Sequence, residues 1–171
     1  METRVSGRES VNDSDAAAAA AAAAAVDHDN HVFRLLEMRD VDIPEGADLA
    51  MTIPVTPQVT NLRGGLQGGL IATLIDVVAG RAAGLALPDG DSAATADMNV
   101  RFLSAVTVGP AHATARILRR GKSLIVVQVD VRDEGRDVLA AVATLSFSVL
   151  PLRPGQPRVR AVDRTPRAET S

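Results

Sequence analysis

The stretch that decides the fold is TNLRGGLQGGLIATLIDVVAGRAAGL, residues 60–85. Its opening holds Gly64, Gly65, Gly68 and Gly69 within six positions, the mark of a loop in which backbone approaches something closely. From Leu70 the pattern changes. Leu70, Ile71, Leu74, Ile75, Val78, Ala82 and Leu85 recur at i, i+3, i+4 spacing, which predicts one long helix stopped by Pro88, Asp89 and Gly90. The other face carries Ala72, Thr73, Asp76, Gly80 and Ala83. Residues this small predict close packing on that side too, and a helix buried nearly all round.

Downstream of the helix the period switches to two. Four strands are predicted at about 93–103, 108–119, 123–133 and 137–149, with tight hairpin turns at Arg120-Gly121-Lys122 and at residues 133–136. Upstream, residues 48–56 place Leu49, Met51, Ile53 and Val55 on one face of a further strand. Pro54 puts that strand at an edge or ends it. Before it, Val32, Leu35 and Leu36 suggest a short helical turn that stops before Asp40. One strand, one long helix and four more strands predict an α+β fold: an antiparallel sheet curved around a central helix. Such a sheet has open edges, and a second copy of the chain would cover them.

The 171 residues suffice for one domain. The folded unit is read as 31–151. It lies between an acidic, alanine-rich head (1–30) and a basic tail (152–171) with Pro154, Pro157 and Pro166; both ends are expected to be disordered. Aromatic residues make up only 2% of the chain, so the core must be Val, Leu, Ile and Ala. A reader of single-stranded nucleic acid that stacks bases on aromatic rings does not fit that inventory. A net charge of −3 speaks against a large basic nucleic-acid surface. The absence of Cys excludes disulfides, thiol nucleophiles and Cys-ligated metals, and three His (His28, His31, His112) make a His-rich metal site a poor reading. No metal and no cofactor are expected. His112, between two alanines in a strand, is read as structural. The apolar run at 16–26 is shorter than the about 20 residues of a membrane span, and the acids around Arg4 and Arg8 weaken a secretory signal. The expectation is a cytoplasmic protein that meets neither membrane nor nucleic acid.

The spacing Asn61-x₂-Gly64-x₂-Gln67-Gly68-Gly69-x₆-Asp76 resembles the N-x₂-G-x₂-H-G-G-x₆-D pattern of hotdog-fold acyl-CoA thioesterases of the PaaI-like type. Thr95, Asp97 to Val100, Phe102 to Ser104, Gly109 and the Arg120-Gly121-Lys122 turn also stand where that family has similar residues. The resemblance covers roughly 32–149. It departs from the pattern at one point, where Gln67 replaces the family's His.

The resemblance implies an acyl-CoA substrate, a homodimer or a dimer of dimers with sites at the interface, and a set of roles. Gly68 would donate its N–H to the thioester oxygen. That amide opens the long helix, where unpaired N–H groups and the helix dipole favour negative charge. Asp76, an acid within an apolar helical stretch, would be the nucleophile or the general base for water. Asn61 would orient the water or the carbonyl, Thr95 would hold the water, and Gln67 would position the thioester by amide donation. Gly69, Arg101, Arg119, Arg120 and Lys122 are the candidates for contact with CoA, because guanidinium and ammonium groups suit phosphates. Taken without the resemblance, Asn61 reads also as a turn residue, and Thr95 reads better as an ordinary strand residue.

Gln67 and Asp76 are nine residues apart, about two and a half turns, so they point to opposite sides of one helix. A two-fold dimer resolves this by facing Asp76 of one copy toward Gly68 and Gln67 of the other. Small residues at Ala79, Gly80, Ala83 and Gly84 leave room near Asp76 for an acyl group. The competing function is a hotdog protein that binds acyl-CoA without hydrolysing it. A hydratase is disfavoured, because no His lies near the helix.

Overall fold

In the computed structural model, which describes residues 31–153, the chain starts with the helical turn α1 (Val32–Leu35) and strands β1 (Arg39–Asp40) and β2 (Leu49–Ile53). Helix α2 (Gly68–Leu85) follows, then β3 (Asp91–Phe102), β4 (Ala111–Arg120), β5 (Leu124–Asp133), a 3₁₀ turn (Glu134–Arg136) and β6 (Val138–Pro151). The strands form one antiparallel sheet in the order β1-β2-β4-β5-β6-β3. This is the predicted α+β arrangement, with the sheet wrapped around α2. The expected head and all but the first two residues of the expected tail lie outside the described residues.

The apolar stripe of α2 does what its spacing requires. Ile71, Leu74, Ile75, Val78 and Ala82 are buried against the sheet. Beneath them Ala111, Ala113 and Ala115 of β4 have no exposed surface, and side chains that small let the helix lie close to the strand. Phe147, Ile53, Ile125 and Leu145 fill the flanks. Each fully buried side chain of this size stabilises the fold by about 1.5–3 kcal/mol. The helix starts at Gly68, two residues before its apolar pattern, with Gln67 as the extended residue that precedes it.

Two expectations change, and one unexpected strand is added. The second face of α2 is not closed in the single chain. Ala72, Thr73, Asp76 and Gly80 stay partly open and only Ala83 is buried there, because the sheet covers one side of the helix alone. Gly80, in the helix interior, costs about 1 kcal/mol relative to alanine. The upstream strand is shorter than 48–56. It stops before Pro54, and all five of its residues are buried rather than every second one. Strand β1 has no hydrophobic pattern, being Arg39 and Asp40 alone. It is tied to α2 by Arg81, whose Nη1 and Nη2 donate to the two oxygens of Asp40, the second at 3.1 Å.

Strand β3 is the long free edge, paired only with β6, and the two-residue β1 is the other edge. Thr95 pairs with Phe147 and Asp97 with the adjacent Ser146, so Ala96 is an extra residue, a β-bulge. The bulge restores the alternation out of phase. Thr95 shares the helix-facing side with Phe147, and so do Met98, Val100 and Phe102 beyond the bulge, opposite Leu145, Ala143 and Ala141. Without the extra residue Thr95 and Phe102 could not both face α2.

At the far end of the sheet, Asp133 is fully buried. Its carboxylate accepts N–H bonds from Thr107 (2.8 Å), Val108 (3.2 Å) and Gly109 (2.7 Å), with Arg136 at 3.8 Å. Burial alone would raise its pKa. The three amides and the guanidinium outweigh burial and hold it below the ordinary value of 3.8.

Candidate active site

The loop before α2 is built by Asn61. Its Oδ1 accepts from the N–H of Arg63 (2.8 Å) and Gly65 (3.4 Å), and its backbone N–H donates to the Gly65 carbonyl (2.7 Å). Gly64 turns the chain at φ +79, a region glycine enters without strain. A side chain on Gly65 would sit 3.3 Å from the Val106 carbonyl oxygen, which accepts from Leu66 N–H at 2.7 Å. The turn reading of Asn61 is therefore realised, and its amide nitrogen is left for another partner.

This loop delivers the helix N-terminus to the surface. The N–H groups of Gly68 and Gly69 find no acceptor among the described residues, as expected for the first amides of a helix. A Cβ at Gly68 would touch only the Phe102 ring, at an ordinary 3.7 Å, and one at Gly69 would touch nothing within 4 Å. Packing within the chain requires glycine at neither place. The Gln67 side chain is exposed and caps nothing. Two free donors and a positive dipole end thus lie at the start of α2, with an exposed amide on the preceding residue and the Phe102 ring beside Gly68.

Asp76 lies two turns along. The Thr95 hydroxyl donates to its Oδ1 at 2.9 Å, so β3 and α2 meet at this pair. The other carboxylate oxygen has no partner among the described residues, and the side is half-open. The chain holds one oxygen in place and leaves the other unengaged among the described residues.

Gly68 and Asp76 are eight residues apart on one helix, about 12 Å. One chain therefore brings Asp76 to Thr95, and sets Asn61, Gln67, Gly68 and Gly69 together elsewhere. The basic candidates divide too. Arg119, Arg120 and Lys122 surround the β4–β5 turn, at the end of the sheet level with Thr95 through the register Thr95–Phe147–Ile125–Arg120. Arg101 stands opposite Val142 on the outer face, six residues or about 20 Å along β3 from Thr95. Arg101 and the hairpin cannot hold one phosphate within one chain. His112 lies on the outer face, with Nδ1 3.8 Å from Glu134.

Sequence reading gave no role to Phe102, Phe147 or Ala96. Phe102 walls the helix N-terminus and Phe147 floors the helix at Gly80. Ala96 aims Thr95. A bulge of one alanine has no signature in composition; only the pairing register exposes it.

Comparison with known proteins gives consistent results. The profile of the thioesterase superfamily matches residues 64–140. A Saccharolobus solfataricus protein named as an esterase is 30% identical over 122 residues, which is 71% of this chain and 84% of that one. Mouse acyl-coenzyme A thioesterase 13 is 34% identical over 94 residues, 54% of this chain and 66% of that one. The crystal structure of a thioesterase from Haemophilus influenzae superposes with a TM-score of 0.67 at 28% identity, covering 72% of this chain and 85% of that one.

Proposed function

The chain belongs to the thioesterase superfamily and is a hotdog-type thioester hydrolase, and from that premise we propose that it hydrolyses acyl-CoA with Asp76 as the reacting carboxylate. The observation that carries the reading is the Asp76–Thr95 pair. Oδ1 is fixed by the Thr95 hydroxyl at 2.9 Å and the second oxygen is open. That oxygen either takes a proton from water as the water attacks the thioester carbon, or attacks that carbon itself. The negative charge that develops on the carbonyl oxygen is met by the Gly68 N–H, assisted by the Gln67 amide and by the helix dipole. Collapse of the tetrahedral intermediate breaks the carbon–sulfur bond and releases the CoA thiolate. Asn61, whose Oδ1 is spent on its own loop, keeps its amide NH₂ to orient water or carbonyl.

The 12 Å between Gly68 and Asp76 makes the working unit a two-fold dimer, with each site drawing Asp76 and Thr95 from one copy and Gly68 and Gln67 from the other. The unpaired edge of β3 and its apolar side, Met98 and Phe102, supply a surface for such a partner. Across that axis the basic hairpin of one copy and Arg101 of the other are the groups for the CoA phosphates.

The test is a panel of aryl-, short-, medium- and long-chain CoA thioesters, read by release of free thiol. Hydrolysis by the wild type and none by Asp76→Asn supports the reading. Binding of acyl-CoA with no thiol release by the wild type establishes the non-catalytic alternative. Mixing Asp76→Asn with a Gly68→Pro variant, which lacks the donor N–H, tests the composite site. Heterodimers retain one intact site and regain part of the activity, whereas fully active monomers on dilution would exclude the dimer.

A further inference from the structure

The start of α2 is held in place from the connection between β3 and β4. The Leu66 N–H, two residues before Gly68, donates to the Val106 carbonyl at 2.7 Å, and both residues are buried. The backbone at Gly65 lies against the same segment. A Cβ there would stand 3.3 Å from the Val106 oxygen, 3.4 Å from the Ala105 Cβ and 3.8 Å from the Thr107 Cγ2. Residues 105–107 are therefore the seat on which the loop before α2 rests. That seat is moored on both sides. Upstream, the N–H groups of Leu103 and Ser104 donate to the Ala140 carbonyl at 2.8 and 3.1 Å. Downstream, Asp133 takes the amides of Thr107, Val108 and Gly109. Between the moorings, Nη1 of Arg136 donates to the Ala105 carbonyl and to the Thr107 hydroxyl, each at 3.3 Å. One guanidinium thus brackets Val106 from the 3₁₀ turn before β6.

We infer that Arg136 is a positioning residue for the reaction: it sets where the Val106 carbonyl stands and, through Leu66, where the Gly68 N–H points. The inference rests on Gly68 being the donor to the thioester oxygen. Asp133 fastens the segment only downstream of Val106, and its loss leaves the grip at Ala105 in place; Arg136 takes hold on both sides. A donor aimed at developing charge acts through its geometry. A misplacement of about 1 Å made far from the chemistry can cost about a hundredfold, so a shift of a few tenths costs about threefold to tenfold. Both Arg136 bonds are long for an N–H donor, which keeps the effect at that modest level.

The experiment compares the wild type with Arg136→Ala, Arg136→Lys and Thr107→Val on one acyl-CoA that the wild type hydrolyses. Turnover is read per folded molecule, since the first substitution also takes a cation from beside Asp133. In Arg136→Ala, kcat falls by about threefold to tenfold and KM stays within about twofold, the pattern of an interaction made in the transition state. Arg136→Lys keeps a cationic donor and recovers part of the loss. Thr107→Val removes one of the two acceptors, loses less, and adds nothing to Arg136→Ala when the two are combined. Amide exchange at Leu66, followed by NMR, gives a readout independent of turnover, and it quickens in Arg136→Ala. An unchanged kcat, a loss confined to KM or to the melting temperature, or unchanged protection of Leu66 would overturn the inference and leave the hydrolase reading standing. A wild type that released no thiol from any acyl-CoA would overturn both.

Discussion

Two carboxylates, Asp133 and Asp76, divide the molecule between a holding role and the reacting role proposed above. Asp133 is wholly buried and receives three backbone N–H bonds and a nearby guanidinium. It organises the 107–109 segment, and nothing about it is left over. Asp76 is half-open, receives one hydroxyl, and keeps an oxygen unengaged. A saturated acid is a structural fastener, because every lone pair that could react is already committed. An acid held at one oxygen and open at the other is oriented yet available. With Asp76 as the proposed reacting group, the contrast teaches that burial alone is a poor guide, since the more buried of the two is the one whose lone pairs are already committed.

Exchanging the two roles by mutation gives the sharpest test. Asp76→Asn should lower thiol release by three to four orders of magnitude, roughly the worth of an attacking group or base, with the melting temperature within about 2 °C of the wild type. Asp133→Ala should do the reverse. It strands three amides around an empty space and costs about 3–5 kcal/mol in urea denaturation, with kcat per folded molecule unchanged. Loss of stability in the first variant, or of turnover at constant folded fraction in the second, would erase the distinction.

Smaller effects refine it. Gln67→Ala should reduce kcat/KM by the worth of one hydrogen bond to developing charge, about 1.5–3 kcal/mol, and Gln67→His should stay within roughly tenfold of the wild type because both side chains offer a donor. An unchanged Gln67→Ala would leave the oxyanion to the helix amides alone. Thr95→Val keeps the shape and removes the hydroxyl; thiol release should drop by roughly fivefold to tenfold, the range of one neutral hydrogen bond, with little change in melting.

The smallest effect is in pH. The fold holds Asp133 below its ordinary value, so its charged form stabilises the native state. That contribution is complete above the unfolded value, near pH 4, and is lost as pH falls on through the folded value. Denaturation of the wild type and of Asp133→Asn from pH 7 down to pH 3 should show a stability gap that narrows only below about pH 4. A gap that narrowed near neutrality would point to another titrating group.

What was legible in the sequence followed from periodicity and spacing. The run Leu70 to Leu85 announced the helix, and the alternation in 124–133 its strand, because each pattern repeats often enough to outweigh local exceptions. Thr95 was drawn to Asp76 only by the family resemblance, and the fold puts its hydroxyl 2.9 Å from that carboxylate. Illegible features were those set by partners distant in sequence. Strand β1 exists because Arg81 holds Asp40. Thr95 faces the helix because Ala96 has no opposite number on β6. Asp133 looked like a hairpin residue, since the amides that enclose it come from 107–109, two strands earlier. The open face of α2 was misread as buried for a related reason: small residues signal close approach without saying by what.

The unpaired margin of β3 has a consequence for handling the protein. Twelve residues long and carrying Met98 and Phe102 on one side, it is a template that any extended chain can extend. In the proposed dimer, covering it by another copy is a second-order event, so dilution uncovers it as surely as heat does. Apparent melting temperature should then rise with protein concentration, and a very dilute stock should lose material to irreversible clumping sooner than a concentrated one.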